Sequence, residues 1–521
     1  MAEKAIAVFC KRNRQWIVAV FIIVIGVLIR IAGFGIVPEG FNQDEAFAGY
    51  EAYSLLNYGV DSAGYRNPCY FVAWGSGMNV LESYLAIPFM KFFGCSVVTF
   101  RLPQLLCSCF SLLVFYLLLK ELFSSKTALL GLGLLAIAPW HIMLSRWGLE
   151  SNIAPAFLLF GFYFLIKGIK NNRFWILSAI LYGLCLYAYA ITWIAVPLTV
   201  LLSGIYIITK QKVSLKYVFL SVFVFFVFAA PLILFLLVNY DLIPEISTRF
   251  LSIPRLLSIR DAEISFGNFI SAQSYHKFFN IVVNQEDGLL WNTPGEFGLF
   301  YKISFPFILL GGVKLAMTAW KRFREKSFCY ETVLLIGTAC SLLTCFLVSD
   351  LNVNKANSLH FYTLILLTAG IREIFVLCGK RALIPKTVLC CYAISFFFFL
   401  SFYFGPYNEA ISYPFRAGVE DAVKYVQEKG FSDICVDSDI YYSQILFFDR
   451  TPNDVYLETV EYKEYPAAFL QVEKFGKYTF GINSGDLDAH EAYIIKTEQN
   501  DFFSGQGYEI FECKNFSVAH K

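Results

Sequence analysis

The chain reads as a polytopic α-helical membrane protein of about eleven spans that ends in a small α/β domain. Three observations predict this. Apolar runs long enough to cross a bilayer recur along the first four-fifths of the sequence; only 16% of residues are charged, against about a quarter in soluble proteins; and the basic residues gather in alternate connections.

The runs lie near residues 16–37, 101–119, 127–143, 153–166, 174–190, 192–209, 215–238, 302–319, 329–348, 358–378 and 387–404. A helix rises about 1.5 Å per residue and the hydrocarbon core is about 30 Å thick, so some twenty apolar residues are needed for each crossing. Lys11, Arg12 and Arg14 precede the first run. That run is longer than a signal-peptide core of about 7–15 residues and has no small-residue cleavage pattern, so it is expected to remain as the first span.

With the N-terminus cytoplasmic, the inner connections carry Lys120 and Lys126; Lys167, Lys170 and Arg173; Lys210, Lys212 and Lys216; Lys321, Arg322, Arg324 and Lys326; and Arg372, Lys380, Arg381 and Lys386. Each is basic, as the positive-inside rule requires. An odd number of spans then places residues 405–521 outside the cell membrane. The loops 38–100 and 239–301, the turn around Arg146 and Glu150, and the loop 349–357 fall on the same side. Residues 80–94 are apolar but short, and Pro88 and Lys91 interrupt them. If they crossed, every later basic connection would move outside, so they are read as an interfacial helix anchored by Tyr84, Phe92 and Phe93.

The domain division is therefore a membrane domain over 1–404 and an extracytoplasmic α/β domain over 405–521. In the latter, a helical stretch at 416–429 precedes a β-rich run at 433–437. No Gly-rich phosphate loop, His cluster or nucleophile elbow occurs there, which points to a structural or acceptor-recruiting cap. The net charge of +2 excludes a nucleic-acid partner, which would call for a concentrated basic face. Most of the 14 cysteines, such as Cys107, Cys109, Cys185, Cys340, Cys345, Cys390 and Cys391, lie in apolar runs without metal-site spacing and read as small core residues. Cys435 and Cys513 could close a disulfide if their segment is extracytoplasmic.

Three outer connections carry the unusual polar residues. The first holds Asp44 and Glu45, with Glu51, Asp61 and Arg66 further on. A carboxylate pair near lipid is costly to desolvate unless it meets a cavity, partner or substrate. The pattern Ala46, Phe47, Tyr50, Tyr53, Ser54 places the pair at the start of a helix, where the helix dipole favours negative charge. The second runs from Pro139 through His141, Ser145 and Arg146 to Glu150, where Arg146 and Glu150 stand at i and i+4 and could simply pair. The third holds Asn354, Lys355, Asn357 and His360 before a span, an arrangement suited to an anion, although Lys355 could equally snorkel toward headgroups. Carboxylates, cations and a candidate phosphate cradle on one side of the membrane are the inventory for moving a sugar off a phosphate leaving group. No metal-ligand spacing accompanies them, and no cofactor is predicted.

In these motifs the chain resembles the GT-C fold glycosyltransferases, in the branch of the protein O-mannosyltransferases and the aminoarabinose transferases of lipid A (glycosyltransferase family 39-like). Asp44-Glu45 matches the acidic motif of the first outer loop, and Ser145-Arg146-Trp147-Gly148-Leu149-Glu150 the element after the third span, with Glu where the family has Asp. Arg66-Asn67-Pro68 echoes the family's Lys-Pro stretch, Phe93-Gly94 and Arg101 its Phe-Gly followed by Arg, and Lys355 stands where a later element usually has Arg. The likeness is clearest over residues 16–170.

The resemblance implies a polyprenyl-phosphate sugar donor, transfer on the outer face with inversion, and a glycan, lipid or protein acceptor. It implies Asp44 as general base, with Glu45 and Glu150 as orienting carboxylates. Arg66, Arg146, His141, Asn354, Lys355, Asn357 and His360 are the candidates for the donor phosphate or sugar. This branch generally works without a metal, whereas more distant GT-C members bind one through similar acidic residues. Two other classes stay open: a transporter or flippase of a lipid-linked saccharide, which would line a path with charges inside the spans, and a scaffold presenting the C-terminal segment.

Overall fold

The structure is a computed structural model that describes residues 2–259, 264–379, 383–467, 469–483, 487 and 489–521, with side chains from residue 14 onward. Lys380 and Arg381, assigned above to an inner connection, lie outside the described residues. Among those described, nine helices are long and apolar enough to cross a membrane: Arg14–Ile31, Val97–Leu122, Glu150–Lys170, Thr192–Lys210, Leu215–Asn239, Lys302–Arg324, Tyr330–Leu347, His360–Cys378 and Leu383–Tyr403. The protein is a multi-pass membrane protein.

Two of the eleven expected spans are shorter than foreseen. The run 127–143 forms a 13-residue helix, Ser125–Ile137, followed by the separate helix Pro139–Leu144. Pro139 causes the break, because its ring disfavours the helical conformation in the residue before it, and Ala138 is extended at φ −65°, ψ 122°. The run 174–190 stops at Cys185. Beyond it, Thr192 Oγ1 donates to the Cys185 and Tyr189 carbonyls (2.9 and 2.7 Å) and Trp193 Nε1 to that of Leu186 (2.6 Å), so side chains take up the helix-end acceptors. Residues 80–94 fold as the helix Leu81–Phe93, whose Phe92 and Phe93 are exposed.

The chain forms two compact units. The first comprises residues 1–32, 104–230 and 261–403 and holds most of the membrane helices. Within it the helices Phe305–Arg324 and His360–Cys378 touch backbone to backbone. A Cβ on Gly311 would lie 1.8 Å from the Leu366 carbonyl oxygen, and one on Gly370 1.8 Å from that of Phe307. Small residues permit this approach, and in lipid close van der Waals contact is the main force between helices. Lys314 and Glu373 form an ion pair at 2.7 Å across the same two helices, as charges within a membrane must.

The second unit comprises residues 33–103, 231–260 and 404–521, so the first outer loop folds together with the C-terminal segment. A short hairpin joins β1 (Ile246–Ser247) to β2 (Ser252–Ile253). The C-terminal sheet has seven strands: β3 (Ile434–Val436), β4 (Glu461–Tyr462), β5 (Val472–Phe475), β6 (Tyr478–Phe480), β7 (Ala492–Lys496), β8 (Glu509–Glu512) and β9 (Phe516–His520), in the order β4-β5-β6-β3-β7-β9-β8. Buried β3 runs parallel to both β6 and β7, and the other pairs are antiparallel. Cys435 and Cys513 do not pair; both are free. Cys435 is on β3 and Cys513 follows β8, three strand spacings away. At about 4.8 Å per spacing this is roughly 14 Å, twice the reach of a disulfide.

The loop and the C-terminal segment join through the backbone. Phe41 N–H donates to the Phe415 carbonyl (2.6 Å), Gln444 Nε2 to that of Phe41 (2.6 Å), and Leu470 N–H to that of Trp74 (2.8 Å). Gly40, at φ +91°, allows the approach, since a Cβ there would lie 2.4 Å from the Phe415 carbonyl oxygen.

Replacing Gly370 by Leu should force the two touching helices apart. A loss of about 1–3 kcal/mol or more is expected, as for overpacked cores, seen as a lower melting temperature and less monodisperse protein in detergent. Unchanged stability would contradict the backbone contact.

Candidate functional site

The sequence candidates fall in both units: Asp44, Glu45 and Arg66 in the second, His141, Arg146, Glu150, Asn354, Lys355, Asn357 and His360 in the first.

In the second unit the acidic pair opens the helix Gln43–Tyr58, as its dipole favours. Asn42 caps it, accepting from Asp44 N–H at 2.9 Å, while Glu45 Oε2 reaches back to Asn42 N–H at 3.2 Å. Glu45 is fully buried in a two-pronged ion pair: Arg101 Nε to Oε1 at 2.8 Å and Nη2 to Oε2 at 2.7 Å. Arg101 also donates to the carbonyls of Pro38 (3.0 Å) and Gly40 (2.8 Å). Glu45 is thus held in place, whereas the Asp44 side chain is half-buried and Arg66 is exposed.

Three further carboxyls lie along this helix, Glu82 near its start and Glu51 and Asp61 toward its end. Glu82, 1% exposed on the adjoining helix, has no hydrogen-bond partner at either carboxyl oxygen, and burial followed by the charge of Glu45 raises it well above the usual range. Glu51 and Asp61 form a buried pair. Glu51 accepts from Ser62 N–H (2.8 Å) and from the Ser62 hydroxyl; Asp61 Oδ1 accepts from the N–H groups of Ala63 (3.0 Å) and Tyr65 (2.7 Å). Burial raises both, Glu51 further through the neighbouring Asp61 charge, and Asp61 is moved from 3.8 to about 7.

In the first unit, Arg146 is fully buried and closes the end of the first helix. Its Nη1 donates to the carbonyls of Ile29 (3.1 Å) and Arg30 (2.9 Å), and its Nη2 to that of Ala32 (2.7 Å). His141 is also buried; its Nδ1 accepts from Arg30 Nη2 (2.6 Å) and Nε (3.2 Å). Both residues, expected to contact a donor, therefore hold the turn that leads to Glu150. Glu150 is half-buried in the first turn of its helix. Gln104 braces the same turn by donating to the carbonyls of Leu144 (2.8 Å) and Asn152 (3.0 Å).

Asn357 ties the third motif to the second. Its Oδ1 accepts from Trp140 Nε1 (3.1 Å) and its Nδ2 donates to the Ser151 carbonyl (2.8 Å). His360 Nε2 lies 3.2 Å from the Val353 carbonyl, which can only accept, so that nitrogen carries the proton. Lys355 Nζ donates to the Ser349 carbonyl at 3.0 Å. Asp287 supports the loop by accepting from Val353 N–H (2.9 Å) and Asn292 Nδ2 (2.7 Å).

These segments enclose a small pocket lined by Trp140, Trp147, Asn152, Trp291, Asn292, Asn354 and Asn357 among others. It leaves about 10 Å³, room for one water molecule. Asn292 Oδ1 is buried there without a hydrogen-bond partner. Indole faces and amide groups line it, and the space takes a single hydroxyl or water and no sugar ring. Among the described residues, no group of three or more His, Cys, Asp or Glu is arranged to hold a metal.

Residues 80–235 match the family model described as dolichyl-phosphate-mannose-protein mannosyltransferase. ArnT from Cupriavidus metallidurans in the apo state aligns with 98% of this chain and 98% of its own, with a TM-score of 0.55 and 11% identity. The same protein bound to undecaprenyl phosphate aligns over 97% of each chain, again at 0.55 and 11%. The archaeal oligosaccharyltransferase AglB from Archaeoglobus fulgidus, in complex with an inhibitory peptide and a dolichol-phosphate, aligns with 84% of this chain at 0.53 and 15% identity. The chain has the GT-C fold. It spans 64% of the length of that oligosaccharyltransferase. No curated protein sequence matches it.

Several residues of this GT-C protein's candidate regions were not singled out from the sequence: Glu82, Asp287, Gln104 and Arg30. Arg30 carries a signal that could have found it, being a lone charge in an apolar run, and Glu82 is the one acidic residue of the run 80–94.

Two outcomes test this geometry. Replacing Arg101 by Gln leaves Glu45 buried without its cation and should cost about 3–5 kcal/mol; adding Glu45→Gln should restore part of the loss in thermal unfolding, and no recovery would argue against direct coupling. Because folding raises the Asp61 carboxyl from 3.8 to about 7, its protonated form favours the fold. That contribution is complete below about pH 4 and is lost as pH rises through 7. Asp61→Asn should therefore raise the melting temperature more at pH 8 than at pH 5, and an equal shift at both would count against the raised carboxyl.

Proposed function

We propose that the chain is a membrane glycosyltransferase that moves a sugar from a polyprenyl-phosphate donor to an acceptor on the outer face of the membrane. Asp44 is the general base. The observation that carries this is the division of labour within the acidic pair: Glu45 is buried and bound to Arg101, while its neighbour stands half-exposed on the first turn of the same helix. Asp44 is therefore the carboxylate of the pair with surface open to a substrate.

The reaction is a displacement. The acceptor hydroxyl gives its proton to the Asp44 carboxylate, its oxygen bonds to the anomeric carbon from the face opposite the phosphate, and the carbon–oxygen bond to phosphate breaks, releasing polyprenyl phosphate with inversion. On the donor side, Asn354, Lys355 and Asn357 belong to the loop lining the indole- and amide-walled pocket or flanking it, and the unsatisfied Asn292 Oδ1 suits a donor hydroxyl. Arg146 and His141 act as positioning residues, and Glu150 remains the secondary carboxylate. The bound undecaprenyl phosphate of ArnT and dolichol-phosphate of AglB support a lipid-phosphate donor. The basic connections support a cytoplasmic N-terminus and an outward-facing C-terminal segment, which we assign to the acceptor side.

Asp44→Asn should lower transfer from a radiolabelled polyprenyl-phosphate sugar by at least about a hundredfold, in line with loss of a general base, with protein yield unchanged. Undiminished transfer would remove Asp44 from this role. Transbilayer movement of the lipid without any glycosylated product would instead identify a flippase.

A further inference from the structure

At the end of the first unit's helices opposite Glu150, the helices Phe174–Cys185, Thr192–Lys210 and Leu215–Asn239 enclose a groove of about 390 Å³. Trp175, Tyr182, Pro197, Leu201, Ile205 and Phe226 line much of it. Leu201, Ile205 and Phe226 are 58%, 53% and 58% exposed, so the groove opens sideways toward lipid. Its walls are largely apolar: the Tyr182 hydroxyl is buried without a hydrogen-bond partner, and the other nearby polar groups are satisfied within the protein. Ser178 Oγ donates to the Gly161 carbonyl (2.8 Å), Ser221 Oγ to that of Tyr217 (2.7 Å) and Trp175 Nε1 to that of Leu165 (3.1 Å). A guest here offers mainly hydrocarbon.

Length and charge narrow the guest further. Along one helix the lining runs from Pro197 to Ile208, about 17 Å at 1.5 Å per residue, close to the roughly 15 Å depth of one leaflet. From residue 151 to residue 240 the sequence contains no acidic residue, and its six basic residues, Lys167, Lys170, Arg173, Lys210, Lys212 and Lys216, all lie toward the groove's end of the helices. Lys170 pairs with Glu121 at 2.6 Å. Arg173, exposed, donates from Nε to Tyr217 hydroxyl at 3.2 Å, which holds its guanidinium between two of the helices that form the groove. Lys212 and Lys216 are exposed at the same end, where Ser214 N–H donates to Asn172 Oδ1 at 2.8 Å.

We propose that this groove binds one anionic diacyl phospholipid of the leaflet at that end, with an acyl chain along the Pro197–Ile208 wall and the phosphate among Arg173, Lys212 and Lys216. A basic recess between membrane helices is the recognition such a headgroup requires. The groove is separate from the proposed transfer site, since the Glu150–Lys170 helix, about 30 Å long, has Glu150 at one end and the basic cluster at the other.

Gly204 allows a direct test, because it lines the groove and a Cβ there meets nothing within 4 Å. Full-length protein is equilibrated with mixed micelles of phosphatidylglycerol, phosphatidylcholine or undecaprenyl phosphate at equal mole fraction, and retained lipid is counted by native mass spectrometry. We expect one phosphatidylglycerol per chain, retained in preference to the other two. Gly204→Leu, and independently Leu201→Trp, should abolish retention while the elution profile and melting behaviour stay those of folded protein. Arg173→Gln combined with Lys216→Gln should erase the preference over phosphatidylcholine. Equal retention of phosphatidylcholine by the unaltered protein, displacement of phosphatidylglycerol by undecaprenyl phosphate, or full retention by both folded groove-filling variants would overturn the proposal.

Discussion

The ion pair between Glu45 and Arg101 is the constraint on which the acidic motif depends. Both side chains are removed from water, where isolated charges are very costly, so each must be fully engaged. Arg101 meets this with donors to both carboxylate oxygens and to two carbonyls of the preceding turn. The same carboxylate completes the helix cap through Asn42. Ion pair, turn and helix start are therefore one cooperative arrangement, which places Asp44 on the first turn of that helix.

A related solution recurs in the first unit. Arg30 and Arg146 are fully buried and donate mainly to backbone carbonyls, at Gly26, Leu135 and Ala136 for one and at Ile29, Arg30 and Ala32 for the other. Helix ends leave carbonyls without intrahelical partners, and a low-dielectric setting offers no water to satisfy them. Arginine suits this task because its planar fork carries five donors and stays charged. In this chain buried arginine often serves the backbone, and the two arginines of the 145–152 region's surroundings hold the turn there in place.

How much of this could be read from sequence follows from the range of the forces involved. Membrane helices are written locally, as runs of apolar residues, and nine were recoverable at full length. The break at Ala138 also has a local cause, Pro139, although the run 127–143 reads as one span. The placement of Asp44 and Glu45 at a helix start was legible from the pattern Ala46, Phe47, Tyr50, Tyr53, Ser54, and the cap at Asn42 came with the structure. The partners were not, because they come from far along the chain: Arg146 meets carbonyls 114 to 117 residues away, and Asn357 reaches across 206 residues to Ser151. A motif shows which groups are available and leaves open which of them the fold has already engaged. For this reason the sequence offers Arg146 and His141 as ligands for a phosphate without showing that the fold already engages them with helix-end carbonyls and with Arg30, while Asp287, in a loop without periodicity, escaped notice.

The joining of the first loop to the C-terminal segment bears on how the protein is made. Gln444 closes on Phe41 across 403 residues, and Phe41 also bonds to Phe415. The ribosome delivers the loop long before it delivers the strands and helices that complete it, and nearly all the membrane helices are inserted in the interval. Until the last quarter of the chain emerges, Phe41, Tyr50 and Trp74 lack the surfaces that bury them in the finished unit. The second unit is thus an assembly that waits, and its maturation is tied to synthesis of residues 404–521.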